Sequence, residues 1–356
     1  MSYFCMILYY KLYFLKIMQL KNYILTFSQL GDFLLNPDNS ETIKQYFYSA
    51  RNENAWFTED NVKLSITNVA QYYLNKDSLE QFILENAITE NISPKKVGIV
   101  MAGNIPLVGF HDLLCVVLSG NIALIKLSSS DSVLMKFIIN KIFELNPEFK
   151  NSIQLADRLN AAEALIATGS DNTAKHFEYY FAKIPNIIRR NRTSIAILNG
   201  EETRTELGNL GNDIFQYFGL GCRNVSKLYV PKGYQFDKLF ESIEYWSTIQ
   251  LHHKYNNNYD YNKSILLVNK IHHLDNGFLL IREEPTLVSA ISVCHFEYYE
   301  NDQQLNAMLE SQKEKIQCIV SKERNFDNSF DFGEAQSPKL NDFADGVNTI
   351  EFLKSI

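Results

Sequence analysis

Between residues 96 and 198 the hydrophobic period of the chain changes repeatedly, and this alternation limits the fold more than any other feature. Val97-Gly98-Ile99-Val100-Met101-Ala102 is a short, nearly unbroken apolar run, the kind buried on both faces in a parallel sheet. It ends at Gly103-Asn104-Ile105-Pro106, where the proline suits the first turn of a helix. A helix is expected over 108–118, a strand over 122–127, a cap at Ser128-Ser129-Ser130-Asp131 and a helix over 133–143. A third strand over 164–167 leads through Thr168-Gly169-Ser170 into a helix over 172–182, and 194–198 reads as a fourth strand. Strands alternating with helices at these lengths predict a parallel, nucleotide-binding α/β sheet.

Upstream, residues 24–90 read as mostly helical. Phe27, Leu30 and Leu34, then Ile43, Tyr46 and Phe47, recur at helical spacing. Thr58 is a candidate helix cap, with Phe57 before it and Val62 in the first turn able to form a hydrophobic staple. A further helix is expected over 77–86. This is a helical layer without evident chemistry of its own. The first 20 residues are apolar and aromatic, but Lys11 and Lys16 interrupt them and no small-residue cleavage site follows. That pattern fits neither a membrane span nor a signal peptide. Residues 1–17 are read as an extension or a mis-assigned start, with an interfacial amphipathic helix as the second reading.

Composition excludes several classes. A net charge of -7 and a pI of about 5.6 give no basic field for nucleic acid, and the Phe and Tyr residues are scattered among other types. Five cysteines, widely spaced and without CxxC or Cys/His ligand spacing, predict no metal site. Their odd count and the lack of a secretory leader point to the cytoplasm. The pairs His252-His253 and His272-His273 diverge by about 100° if helical and do not suit one metal.

One thiol stands apart. In Phe218-Gly219-Leu220-Gly221-Cys222-Arg223-Asn224, two glycines allow a sharp turn and the approach of another molecule. Val225 to Val230 then alternates as a strand, closed by Pro231-Lys232-Gly233. Cys222 at the lip of that strand, beside Arg223, is a candidate nucleophile; the plainer reading is a half-buried loop cysteine. No GxGxxG fingerprint is present. The short polar turns at strand ends could still present backbone N–H groups to an anion, or simply cap their helices.

Taken together the turns are more specific. Gly103-Asn104-Ile105-Pro106-Leu107, Ser119-Gly120-Asn121 with Ile125-Lys126-Leu127-Ser128, Thr168-Gly169-Ser170 and Gly221-Cys222 resemble the ordered motifs of the aldehyde dehydrogenase superfamily. Within it the chain looks most like the acyl-CoA reductase (LuxC-type long-chain fatty-acid reductase) family, on Gly103-Asn104-Ile105-Pro106-Leu107-Val108-Gly109-Phe110-His111-Asp112 and Phe332-Gly333-Glu334-Ala335-Gln336-Ser337-Pro338. The resemblance runs from Val97 to the end. It implies an aldehyde dehydrogenase-like fold: a parallel-sheet cofactor-binding domain and an α/β catalytic domain, with the helical layer at the amino terminus. Cys222 would form a thioacyl-enzyme, and Asn104 would offer its amide to the oxyanion beside the Cys222 N–H. Lys126 would contact the cofactor ribose or its phosphate; Thr168, Gly169 and Ser170 would border the dinucleotide. Glu284, in Arg282-Glu283-Glu284-Pro285-Thr286, resembles the family's ribose-binding glutamate, with Thr286 in place of the usual phenylalanine.

The chain departs from ordinary aldehyde dehydrogenases where their general-base glutamate precedes a Leu-Gly-Gly turn. The corresponding stretch is read as Ile195-Ala196-Ile197-Leu198-Asn199-Gly200, which lacks it, with Glu201 and Glu202 nearby. A thioacyl group without a positioned base for water should survive to meet a thiol or a hydride. Downstream, helix is expected over 236–251, a surface loop over 255–261, and strands over 265–268, 287–296 and 316–320. Arg189, Arg190 and Arg192 form a dense basic cluster, read as a solvated turn or a phosphate site. The expected division is residues 18–220 for the helices and cofactor domain, 221–325 for the catalytic domain, and 326–356 for a segment returning to the cofactor domain.

The function expected from these features is NADPH- or NADH-dependent reduction of an acyl-CoA, or another acyl-thioester, to an aldehyde through Cys222. An acid-forming aldehyde dehydrogenase and a catalytically silent subunit of an acyl-transfer complex are the alternatives. A homo-oligomer or an acyl-transfer complex is the expected assembly, with no nucleic acid and no membrane span.

Overall fold

The computed structural model describes residues 20–89, 91, 93–322, 326 and 328–356; the expectation for residues 1–17 lies outside them. The chain forms two compact units. The first comprises residues up to 190 with 339–343 and 347–356; the second comprises 191–338 with 344–346.

In the first unit, α1 (20–35), α2 (Ser40–Glu53), α3 (Glu59–Asn68) and α4 (Lys76–Glu85) precede the sheet. Thr58 caps α3 by accepting the Asn61 N–H, and Phe57 and Val62 are both buried, as a staple requires. The sheet is built from β1 (Lys96–Val100), β2 (Ile122–Lys126), β3 (Ile153–Leu155), β4 (Ala164–Thr168) and β5 (Asn186–Arg189), in the order β3-β2-β1-β4-β5. Every pairing is parallel. α5 (Phe110–Leu118) follows β1, α6 (Ser132–Leu145) follows β2 and α7 (Asp171–Tyr180) follows β4. Residues 113–118 of α5 are all buried, so this helix is core on every side. Phe27 and Leu30 of α1, Phe47 of α2 and Val62 of α3 join Ile138 of α6 in one apolar cluster. The strand order reverses between β1 and β4, which creates a crevice at their carboxyl ends. Met101 to Asn104 and Thr168 to Ser170 leave the sheet there.

The second unit holds β6 (Thr193–Ile197), β7 (Val225–Pro231), β8 (Leu274–Asp275), β9 (Leu280–Glu283), β10 (Val293–Tyr299), β11 (Ile316–Ser321) and β12 (Ser329–Phe330), in the order β12-β11-β6-β7-β10-β9-β8. All pairs are parallel except the antiparallel β8–β9. Its longer helices are α8 (Arg204–Phe215), α9 (Asp237–Ser242), α10 (His253–Val268) and α11 (Asp302–Gln312). A capping box between Thr203 and Glu206 starts α8.

Several expectations change here. The run 194–198 is no fourth strand of the first sheet: β6 pairs with β7 and β11, so the units divide at Arg190/Asn191 and not near residue 220. A fully buried apolar strand carries no local mark of its partner. The Asn- and Tyr-rich stretch 255–261 and the run 265–268 are not loop and strand; both belong to α10. Tyr255 and Tyr259 anchor it, their hydroxyls donating to Phe278 O at 2.9 Å and Asp275 Oδ1 at 2.7 Å. Burial of the two rings outweighs the low helix propensity of asparagine. Over 236–251 the helix breaks into α9 and a 3₁₀ segment, Glu244–Leu251. Pro106 starts no helix, since Leu107 takes a left-handed φ of 58° and α5 begins at Phe110. Of 287–296, only the part from Val293 is strand. No helix among the described residues is long and apolar enough to cross a membrane.

Candidate active site

Cys222 lies in the turn between α8 and β7, and local sequence makes that turn rigid. Tyr217, Phe218 and Gly219 adopt left-handed φ of 51°, 59° and 77°, two of them at a cost that only a well-held segment sustains. Asn224, 2% exposed, does the holding. Its Oδ1 accepts the Gly221 N–H at 2.8 Å, and its Nδ2 donates to Asp213 O at 3.1 Å and Gln216 O at 2.8 Å. The end of α8 and the thiol-bearing turn are therefore tied by one amide. Ser194 of β6 donates its hydroxyl to Cys222 O at 3.0 Å and meets Cys318 Sγ at 3.0 Å.

Among the described cysteines, Cys222 alone is half-buried; Cys115, Cys294 and Cys318 are buried. Burial pushes the Cys318 thiol up to about 11 and the Cys294 thiol up to about 12, and holds Cys115 well above its ordinary value. A buried thiol is a poor source of thiolate, which leaves Cys222 as the candidate nucleophile. The Arg223 guanidinium stacks on Phe330 at 5.1 Å and lowers the buried Cys318 thiol against its desolvation.

Two loops in this unit are anchored by buried ionisable side chains. Asp213 of α8, 0% exposed, accepts the Gly333 N–H at 2.6 Å and the Ala335 N–H at 3.1 Å, so the Phe332 to Pro338 motif is clamped to α8. Desolvation raises the Asp213 carboxyl to about 7, against the two amide bonds that lower it. Lys227, fully buried on β7, donates to Glu284 O at 2.8 Å, Pro285 O at 2.9 Å and Glu297 Oε2 at 2.5 Å. Glu284 itself is half-buried and paired with Arg282 at 2.7 Å. Its carboxylate is thus oriented by Arg282 of β9, the strand it follows, and its backbone by Lys227.

Glu201 and Glu202 follow the carboxyl end of β6, whereas Cys222 precedes the amino end of the parallel β7. From Ser194, which touches the Cys222 carbonyl, to Asn199 the strand covers roughly 16 Å at about 3.3 Å per residue. The Glu202 carboxylate is turned back onto the Asn199 and Gly200 N–H groups at 2.6 and 3.2 Å. The Glu202 carboxylate is thus committed to its own turn, at the end of β6 opposite to the one that meets the Cys222 carbonyl.

In the first unit, Asn104 is exposed at the crest of the turn after β1. Lys126, at the carboxyl end of β2, lines a cleft of about 600 Å³ with Arg158, His176, Phe177, Tyr180 and Lys183. Asp157 is also in its wall, yet Lys126, Arg158 and Lys183 enter no ion pair among the described residues. Cations beside aromatic faces suit an anionic ligand with a flat ring. Thr168, Gly169 and Ser170 open α7, whose residues supply one wall, without lining the cleft themselves. Ser170 caps α7 by accepting the Thr173 N–H at 3.3 Å, and a Cβ on Gly169 would come within 3.0 Å of Thr173.

Of the three arginines only Arg190 is solvated, and each is paired with a carboxylate. Arg189 forms a buried two-bond pair with Asp112 at 2.5 and 2.9 Å, Arg190 pairs with Glu178 at 2.5 Å and Arg192 with Asp345 at 3.5 Å. His111 meets Leu340 O at 2.8 Å. The His111-Asp112 end of the first motif therefore fastens the carboxyl-terminal segment. Sequence reasoning missed Asp213 and Lys227, which act through backbone groups 57 to 122 residues away, and Asn224, whose partners are near in sequence but are brought to it only by the left-handed turn. Among the described residues no group of three or more His, Cys, Asp or Glu side chains could hold a metal ion.

Two α/β units, one built on an all-parallel five-stranded sheet and the other on a mixed seven-stranded sheet, define the aldehyde dehydrogenase type of fold. The chain has that fold. It is similar to an NAD-dependent aldehyde dehydrogenase from Sinorhizobium meliloti (TM-score 0.63, 11% identity, 87% of this chain and 71% of that one). It is similar also to a Mycobacterium tuberculosis aldehyde dehydrogenase complexed with NAD+ (TM-score 0.59, 11% identity, 85% and 73%). A third likeness is to Rhodopseudomonas palustris propionaldehyde dehydrogenase with bound propionyl-CoA (TM-score 0.57, 11% identity, 86% and 78%). No curated protein matches by sequence. The acyl-CoA reductase (LuxC) family model matches residues 40–237, more than half of the 356 residues, and the chain belongs to that family of enzymes.

Proposed function

We propose that this enzyme reduces an acyl-CoA thioester to an aldehyde, with Cys222 as nucleophile and NADPH or NADH as reductant. The observation that carries the reading is Cys222 itself, a half-buried thiol on a rigid turn in a chain whose other described cysteines are buried.

The Cys222 thiolate attacks the thioester carbonyl carbon, and the electron pair of the C=O moves to oxygen. Asn104 and the Cys222 N–H would donate to that oxyanion, in a role that typically contributes 10²–10³-fold per donor. Collapse breaks the carbon–sulfur bond to CoA, which leaves as a thiolate, and the acyl group remains on Cys222. A reduced dinucleotide held in the site would supply a hydride to the thioacyl carbon. Collapse of the reduced adduct releases aldehyde and restores the Cys222 thiolate. The positions of Glu201 and Glu202 support this reading over acid formation, since neither is placed to activate water at the thioacyl carbon.

The cationic cleft around Lys126 fits the adenosine and phosphates of the dinucleotide. Lys126, Arg158 and Lys183 would face the phosphates, while Phe177 and Tyr180 offer ring faces to the base. Lys227 would hold the Glu284 segment for the ribose. The solved neighbours complexed with NAD+ and with propionyl-CoA support both ligand classes.

The test is intact mass measurement after exposure to a series of acyl-CoA esters without reductant, followed by peptide mapping. An acyl adduct on Cys222, discharged as aldehyde on adding NADPH or NADH, is expected; Cys222→Ala should lose both. An adduct elsewhere, or full turnover by the variant, sinks the mechanism.

A further inference from the structure

Asp131 occupies the N-cap position of α6 but makes no capping bond to it. The helix is capped instead by a residue of another element. Glu53, at the end of α2, accepts the Ser132 and Val133 N–H groups at 2.8 and 3.0 Å and the Ser132 hydroxyl at 2.5 Å. Asp131, 1% exposed, turns away and accepts the Leu107 N–H on Oδ2 at 2.7 Å. Its Oδ1 has no hydrogen-bond partner among the described residues.

The recipient of that bond is the turn carrying Asn104. Leu107 holds a left-handed φ of 58°, a conformation that persists for a leucine only where its surroundings over-determine it. Asn54, next to Glu53, donates to Gly103 O at 3.2 Å and Ser130 O at 3.4 Å. Ser65 of α3 donates to Pro106 O at 2.7 Å. Residues 103–107 are thus fixed at Gly103, Pro106 and Leu107, with Asn104 exposed between the fixed points. A Cβ on Gly103 would collide with Ser128, so the turn also lies directly on the Ser128–Asp131 loop.

We propose that Asp131 is a positioning residue for Asn104: its buried carboxyl latches Leu107, and so sets where the Asn104 amide stands relative to the reacting carbonyl. This rests on the reading of Asn104 as oxyanion donor. Burial raises the Asp131 carboxyl to about 8, with the Glu53 carboxylate on α2 adding to the rise and the Leu107 N–H opposing it. An acid with one bonded oxygen and one buried, unbonded oxygen is stable without charge. Asparagine reproduces that state; alanine removes it.

The experiment compares Asn104→Ala, Asp131→Ala and Asp131→Asn in the full chain, with tetradecanoyl-CoA and NADPH. Steady-state rates are measured from pH 6 to 9.5, and hydrogen exchange of residues 103–110 in the free protein. Asn104→Ala should lower kcat on the order of 10²-fold. Asp131→Ala should lower kcat about tenfold or more with KM little changed, and speed exchange at Leu107. Asp131→Asn should restore both to within about threefold. An unaffected Asn104→Ala enzyme refutes the oxyanion role, and the positioning role falls with it. An impaired Asn104→Ala enzyme beside a normal Asp131→Ala enzyme overturns the positioning role alone. If Asp131→Ala does not fold, Asp131→Ser, which is too short to reach Leu107 in the same way, takes its place, and wild-type kcat with wild-type exchange at Leu107 in that variant overturns the positioning role.

Discussion

Asn224 accepts the Gly221 N–H at 2.8 Å while donating to Gln216 O at 2.8 Å, so one buried amide closes the end of α8 and orients the turn bearing Cys222. Asn224→Ala leaves these groups unmet in the interior. At about 1–3 kcal/mol for each buried unsatisfied group, a loss of roughly 2–4 kcal/mol is expected in urea denaturation. Acyl transfer to Cys222 should slow more than the stability loss alone would require at temperatures where the variant stays folded. Wild-type acylation rates in Asn224→Ala would contradict this.

Cysteine accessibility gives a second prediction. Among the described cysteines, iodoacetamide under native conditions should modify Cys222 first, while Cys115, Cys294 and Cys318 react only after denaturation, since burial disfavours their thiolates. Peptide mapping over a time course reads the order. Prior incubation with an acyl-CoA should protect Cys222.

The buried pair of Asp112 and Arg189, bonded also to Thr349 at 3.1 Å, fastens the carboxyl-terminal helix Thr349–Ser355. Removing one partner strands the other charge, at a cost of about 3–5 kcal/mol. Asp112→Leu should therefore be severely destabilised, and Asp112→Leu with Arg189→Met should recover much of the loss. Thermal denaturation of the two variants beside wild type decides it.

Asp213 makes stability depend on pH in the direction opposite to a salt-bridged carboxylate. Its folded pKa of about 7 lies above the unfolded value near 3.8, so between those limits the native state holds the extra proton. Stability from this group is fully present below about pH 4, falls as pH rises towards 7, and is level above. The stability of wild type minus that of Asp213→Asn should decline between pH 5 and 7.5, on the order of 2–3 kcal/mol. A difference independent of pH would refute the assignment.

Much of this molecule was legible locally. The apolar runs before Gly103 and Thr168, the cap at Thr58 and the glycines around Cys222 all follow from period and turn chemistry, which act within a few residues. The order of motifs carried the family. What lay beyond reach was decided by partners far along the chain. The 194–198 run was plainly a strand, but nothing in five buried residues says which sheet receives it. Residues 255–261 looked like a loop until Tyr255 and Tyr259 found Phe278 and Asp275 to bond. Asp131 has the composition of an ordinary cap, yet Glu53, 79 residues away from Ser132, takes that place and frees Asp131 for Leu107. Local sequence determines the face a residue presents; tertiary structure decides what meets it, because the cost of burying a polar group depends wholly on whether a partner arrives.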